Sequence, residues 1–309
     1  MAGQIGWVGA GRMGYALAER LLKGGVKLAI YNRTRSKAEP LAALGATVVD
    51  ELPALAACDI VFVIVADSDD LIEVVSGPKG LLSRAGQAPR IVVDISTVSQ
   101  AASAEVRRTL AGRGAAFLAA PVSGNPKVVR SGKLSVVVSG PKTAFETAEP
   151  YLRRFGRGVS YVGDGERARI VKICHNVYLG IAAQALAEIT VLAEKSGVPR
   201  HAFLAFVNDS VMGSVFSRYK TPAYVNLDFA ATFTPPLLRK DLDLGLEAAR
   251  EHDVPMPLAA MTREIIQGMI GQGYTDCDFA ALVEVEAKAA GLKLMSENVK
   301  VSDGLEPER

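Results

Sequence analysis

Residues 5–25, IGWVGAGRMGYALAERLLKGG, decide the fold. A short apolar run, Gln4–Val8, leads into Gly9-x-Gly11-x-x-Gly14, and an apolar helical period follows over Arg12–Lys23. Glycine in this pattern serves a tight turn, close approach of backbone to a pyrophosphate, and contact between helix and strand. The helix start adds unsatisfied N–H groups and the positive end of a dipole. GxGxxG alone is a common pattern. Set between a strand and a helix inside a βαβ unit, it predicts a dinucleotide site walled by Gly9, Ala10, Gly11, Arg12, Met13 and Gly14.

Beyond this run, β-rich and helical stretches alternate as far as about Gly163. Strands are expected at Lys27–Tyr31, Thr47–Val49, Ile60–Val65, Arg90–Asp94, Ala115–Ala119 and Leu134–Ser139. Helices are expected at Arg35–Leu44, Asp67–Val75, Gln100–Gly112 and Thr143–Phe155. Such alternation predicts an α/β fold with a doubly wound parallel sheet covered on both faces. After Gly163 the strand signal ends. Helical patterns follow over Gly163–Glu194, His201–Asn208, Pro235–Glu251, Pro257–Gly271 and Phe279–Ala290. The expected organisation is a cofactor domain over 1–163, an all-helical domain over 164–295 that holds the substrate, and a loose tail over 296–309. The long helix is the joint between the two domains.

The 309 residues carry a net charge of +2, which gives no electrostatic case for nucleic acid or an anionic membrane. Cys58, Cys174 and Cys277 lie far apart without ligand spacing, so reduced thiols are expected and no disulfide frame or metal site. The run Ile60–Ala66 is too short to span a bilayer, and no signal-peptide pattern opens the chain. A cytoplasmic protein is expected.

Several further stretches offer chemistry. Where the second strand ends, NAD sites place an acidic residue on the ribose. Here stand Asn32, Arg33 and Thr34, followed by Arg35 and Lys37, a set better suited to a 2′-phosphate and hence to NADP. The alternative, less favoured, is that these are solvated charges opening the next helix. Val65, Ala66 and Asp67 would run beneath the cofactor through backbone groups, with Asp67 capping the next helix. Ser96 and Thr97 offer hydroxyls where a substrate would lie, and Ser123, Gly124 and Asn125 form a carboxylate nest or simply a turn. The long helix carries no charge between Lys172 and Glu188. Lys172, His175 and Asn176 share one stripe of it, and a helix apolar on its other faces is expected to be buried all round. Lys172 could also merely reach solvent.

Taken in order, IGWVGAGRMG, DISTVS, APVSG, Gly163-x-Gly165 with Lys172 and Asn176, and Lys240-Asp241-Leu242 resemble the β-hydroxyacid dehydrogenases over about residues 4–290. That family includes 3-hydroxyisobutyrate dehydrogenase and the glyoxylate/succinic semialdehyde reductases. The resemblance implies a Rossmann domain, a helical domain, reversible NAD(P)-linked oxidation of a small 3-hydroxy acid, and a homodimer or homotetramer formed through the helical domain. It also implies Lys172 as the catalytic lysine and Asn176 as the catalytic amide holding substrate. Ser123 and Gly124 would bind the carboxylate, Thr97 with its neighbour Ser96 would sit beside nicotinamide and substrate, and Lys240 would reach the cofactor. Ala119 replaces the family's usual Asp, Asn125 its second Gly, and His175 stands where Asn is frequent. The alternatives are an imine reductase, whose members usually lack a lysine at position 172, and a non-catalytic NADP-binding interaction module.

Overall fold

In the computed structural model, which describes residues 4–306, the opening run forms β1 (Ile5–Val8), a glycine turn and α1 (Arg12–Lys23). There follow β2 (Leu28–Tyr31), α2 (Glu39–Ala42), β3 (Thr47–Val48), β4 (Ile60–Val63), α3 (Ser68–Ser76), β5 (Ile91–Asp94), α4 (Gln100–Ala111) and β6 (Ala116–Ala119). Next come β7 (Val122–Ser123), α5 (Pro126–Arg130), β8 (Ser135–Val138), α6 (Lys142–Leu152) and β9 (Gly158–Tyr161). The remainder is helical: α7 (Arg167–Lys195), α8 (Arg200–Asp209), α9 (Val215–Asn226), α10 (Pro235–Glu251), α11 (Pro257–Gly271) and α12 (Leu282–Ala289). The chain divides into two units, Met1–Lys172 and Ile173–Arg309. The first unit runs past the expected boundary at 163 because the opening turns of α7 are anchored in it, through Ala168 in its core and Arg169 bonded to Asp94.

In the first unit the sheet order is β3-β2-β1-β4-β5-β6, with every pairing parallel, the Rossmann arrangement. Alternation of side chains loads both faces. Trp7 and Phe62 meet Phe155 edge-on on one face, while Val61, Val63, Val92 and Phe117 join a cluster on the other. The register sets Val8 opposite Tyr31 and Val63, Val63 opposite Asp94, and Asp94 opposite Ala119. Five strands therefore end level, and the loops after them leave one edge.

Two expectations fail in this unit. The run over Leu134–Ser139 adds no parallel strand to the main sheet and meets it through an antiparallel bridge from Ser139 to Ala119 at the end of β6. Its strand β8 pairs antiparallel with β7 and parallel with β9 in a separate three-stranded sheet. The expected helix over Arg35–Leu44 breaks into a 3-10 turn, Arg35–Lys37, and the short α2, because Pro40 has no N–H to continue a helix begun earlier.

The second unit packs around Tyr224, Leu238, Leu242, Ile266, Met269 and Phe279. By length and composition α7 could cross a bilayer, and half of its most apolar window is packed inside. It is not buried all round, however. Val171, Tyr178, Ile189 and Leu192 stand exposed along it, Tyr178 at 70% and Leu192 at 67%. Nor is the described part of the tail loose. Glu297 accepts from Arg200 N and His201 N at the start of α8, and Val299 exchanges two hydrogen bonds with the Asn226 side chain.

Candidate functional site

The glycine turn between β1 and α1 is shaped by what a side chain would strike. Gly9 has φ +102°, and a Cβ there would lie 2.0 Å from the Ile64 carbonyl oxygen. At Gly14 it would lie 2.2 Å from the Gly9 oxygen, whereas Gly11 faces open space. Gly11 also caps α1 without a side-chain hydrogen bond, and the first turn holds no acidic residue. Open backbone beside a positively polarised helix end that no side chain caps fits a pyrophosphate, so these residues suit a dinucleotide.

The neighbouring loops are tied to this turn. Asn32 Oδ1 accepts from Ala10 N at 2.7 Å, and its Nδ2 donates to the Thr34 carbonyl at 2.8 Å. Arg33 reaches Asp70 at 3.1 Å with its side chain 85% exposed, and Arg35 pairs with Glu39 and Asp50. Asp67 caps α3 by accepting from Asp70 N, as its sequence position suggested. Ser96 is buried and its hydroxyl accepts from Val65 N at 2.9 Å, so it braces the Val65–Asp67 loop instead of standing open to a substrate. Thr97 follows, half-buried. Ser123 lies in β7 opposite Ser135, and Gly124 has φ +142°. Asn125 accepts from Lys127 N and Val128 N, so its departure from the family pattern supplies an N-cap for α5.

A buried clamp escaped the sequence reading. The Arg169 guanidinium donates to Asp94 Oδ2, to the Ser96 carbonyl and to Ser103 Oγ, while Asp94 Oδ1 accepts from Ser96 N. The clamp fixes the loop carrying Ser96 and Thr97 and the first turns of α7. Three residues past Arg169, Lys172 stands half-buried as the last residue of the first unit.

One helical turn beyond Lys172, and within the second unit, the buried Asn176 donates through Nδ2 to Asp241 Oδ2 at 2.5 Å. Asn176 Oδ1 lies 2.9 Å from His175 Nδ1, and Lys240 Nζ lies 3.7 Å from Asp241 Oδ1. Gly245 permits this meeting of α7 and α10: a Cβ there would stand 2.2 Å from Val177 Cγ2. Asp241 is the second partner the sequence reading passed over, although it adjoins Lys240 in the quoted motif.

Residues 4–163 match the family model described as the NAD binding domain of 6-phosphogluconate dehydrogenase. Residues 166–286 match that described as NAD-binding of NADP-dependent 3-hydroxyisobutyrate dehydrogenase. The chain is 32% identical to the 2-(hydroxymethyl)glutarate dehydrogenase of Eubacterium barkeri, over 94% of this chain and 97% of that protein. It is 30% identical to the chloroplastic glyoxylate/succinic semialdehyde reductase 2 of Arabidopsis thaliana, over 91% of this chain and 78% of that one. A 3-hydroxyisobutyrate dehydrogenase structure from Salmonella typhimurium superposes with a TM-score of 0.81 at 24% identity, covering 91% and 99% of the two chains, and shows the shared fold. These matches favour neither the imine reductase nor the interaction module; the chain belongs to the β-hydroxyacid dehydrogenase family, whose members are NAD(P)-dependent hydroxyacid dehydrogenases.

Proposed function

We propose that the protein reversibly interconverts a small 3-hydroxy acid and its semialdehyde with NADP(H), using Lys172 as general acid and base. The observation that carries this reading is the α7 stretch from Lys172 to Asn176, where an amine precedes by one turn an amide oriented by Asp241. The nicotinamide, when bound, accepts or returns the hydride. The chain supplies the rest. The Gly9–Gly14 turn and Val65–Asp67 hold the dinucleotide, and Ser123 and Gly124, with Thr97, hold the carboxylate. Lys172 Nζ removes the proton from the hydroxyl oxygen during oxidation and returns it to the carbonyl oxygen during reduction. Asn176 and Lys240 fix the reactants, and such positioning supplies much of the rate.

NADP is favoured because no carboxylate follows β2 and Arg33 stands there instead. Its partner Asp70 makes only a surface pair, worth about 0–1 kcal/mol, so the guanidinium can turn to a 2′-phosphate at small cost. The exposed apolar stripe of α7, with Tyr178 and Leu192, supports a homodimer or homotetramer built through the helical unit. A cytoplasmic setting with reduced thiols completes the proposal. Glyoxylate, succinic semialdehyde and methylmalonate semialdehyde, each tried with NADPH and NADH, form the deciding assay. Faster NADPH oxidation with at least one of them is expected, and no turnover with any would sink the reading.

A further inference from the structure

His175 is one of the places where this chain leaves the pattern it resembles, and the geometry gives it a task. Its Nδ1 lies 2.9 Å from Asn176 Oδ1, while Asn176 Nδ2 donates to Asp241 Oδ2 at 2.5 Å. Asn176 and Asp241 are buried, and the histidine is exposed. The proton positions follow from one end of this chain of contacts. Asp241 Oδ2 accepts from Asn176, and the Lys240 amine 3.7 Å from the other oxygen favours the carboxylate, which only accepts. The Asn176 group facing it is therefore the NH2, which turns the amide oxygen toward His175. An amide oxygen also only accepts, so the imidazole nitrogen facing it must carry hydrogen.

We propose that His175 is a positioning residue for the reaction above, and the proposal rests on that reading of function. As the Nδ1–H tautomer it donates to Asn176 Oδ1, locks the amide with its NH2 toward Asp241, and so fixes which end of Asn176 the substrate meets. Turning the amide over would set its oxygen against the carboxylate and its NH2 against the Nδ1 hydrogen. Two hydrogen bonds would become two repulsive contacts. The lock holds in both charge states of the ring, since protonation adds hydrogen at Nε2 and leaves Nδ1–H in place.

Side-chain geometry makes the test selective. Asparagine carries its amide nitrogen one bond from Cγ, as histidine carries Nδ1, whereas glutamine carries it one bond further, nearer the place of Nε2. His175→Ala is expected to raise KM for the hydroxy acid about threefold to tenfold, the worth of one hydrogen bond, with the Kd for NADPH unchanged. His175→Asn should restore KM, and His175→Gln should stay at the alanine level. Rescue by glutamine but not asparagine would move the role to Nε2 and overturn the proposal, as would a wild-type KM in His175→Ala. The tautomer is read separately, without substrate, from long-range proton–nitrogen correlation spectra in which the His175 signals are those lost in His175→Ala. Hydrogen on Nδ1 of the neutral ring is expected, and hydrogen on Nε2 alone overturns the proposal. Because that spectrum needs no turnover, its failure is distinct from failure of the functional reading, which shows as an inactive wild-type protein.

Discussion

Arg169 donates its guanidinium to Asp94 across the first unit, and neither side chain is more than 1% exposed. The pair joins the end of β5 to the start of α7 and, through the Ser96 carbonyl and N–H, shapes the loop that carries Thr97. Removing one member leaves the other charge buried alone, which costs about 3–5 kcal/mol. Arg169→Met should therefore lower the urea midpoint of the first unit by that equivalent, followed by fluorescence of Trp7, the one tryptophan in the chain. The double substitution Asp94→Leu with Arg169→Met should recover part of the loss, because an apolar pair strands no charge. A single substitution costing under about 1 kcal/mol would show that the clamp is not under load.

Lys172 is given the proton step, so its loss should act on chemistry and spare the nucleotide. Lys172→Ala is expected to lower kcat by roughly 10²- to 10⁴-fold, the usual range for a general acid or base. NADPH binding, measured by calorimetry, should stay within about twofold, since the Gly9–Gly14 turn is untouched. An alanine variant with near wild-type kcat ends the assignment.

The cofactor preference is tested at the end of β2. Arg33→Asp removes the cation expected at the 2′-phosphate and places there the carboxylate that suits a ribose hydroxyl. A charge-assisted hydrogen bond is worth about 1.5–3 kcal/mol, so kcat/KM with NADPH should fall by roughly 10- to 100-fold. The value with NADH should hold or rise. An unchanged ratio would remove Arg33 from the cofactor site.

What could be read from the chain was local. The β1–α1 turn followed from glycines at fixed offsets, and α1, α10 and α11 have the expected bounds because period and end signals coincide there. Helix α9 is hidden in the sequence because Pro222 lies inside it, where a proline normally ends a helix, although Ser214 and Ser217 form a capping box at its start. The two-residue β7 is too short to leave a periodic trace, so nothing local in the sequence separates β8 from the parallel sheet. The exposed face of α7 cannot be told from a buried one by composition, because its residues are as apolar as those of the core. Pairs such as Arg169 with Asp94, or Asn176 with Asp241, join side chains 75 and 65 residues apart, a relation no local pattern encodes.

The second unit holds a buried pair of its own, and it ties the unit's stability to pH. Asp278 accepts from Lys220 Nζ at 2.5 Å, from Thr232 Oγ1 at 2.6 Å and from Ala280 N at 2.9 Å, so it binds α9 to the loop leading into α10. Burial pushes its carboxyl pKa up, but the Lys220 charge and these hydrogen bonds outweigh burial and hold it below the ordinary value. A carboxylate with a lowered folded pKa stabilises fully above its unfolded value, about 3.9, and loses that contribution as pH falls through the folded value. Helical circular dichroism in urea should therefore give a midpoint that drops below about pH 4. Lys220→Met should cost about 3–5 kcal/mol at neutral pH, because the carboxylate is left buried without its cation. Its folded pKa then rises, so protonation relieves the variant at a pH where the wild-type pair is still charged. The gap between variant and wild type should narrow steadily from pH 7 toward pH 3. A gap of constant size over that range would mean that the Asp278 charge contributes nothing to holding α9 and the α10 loop together.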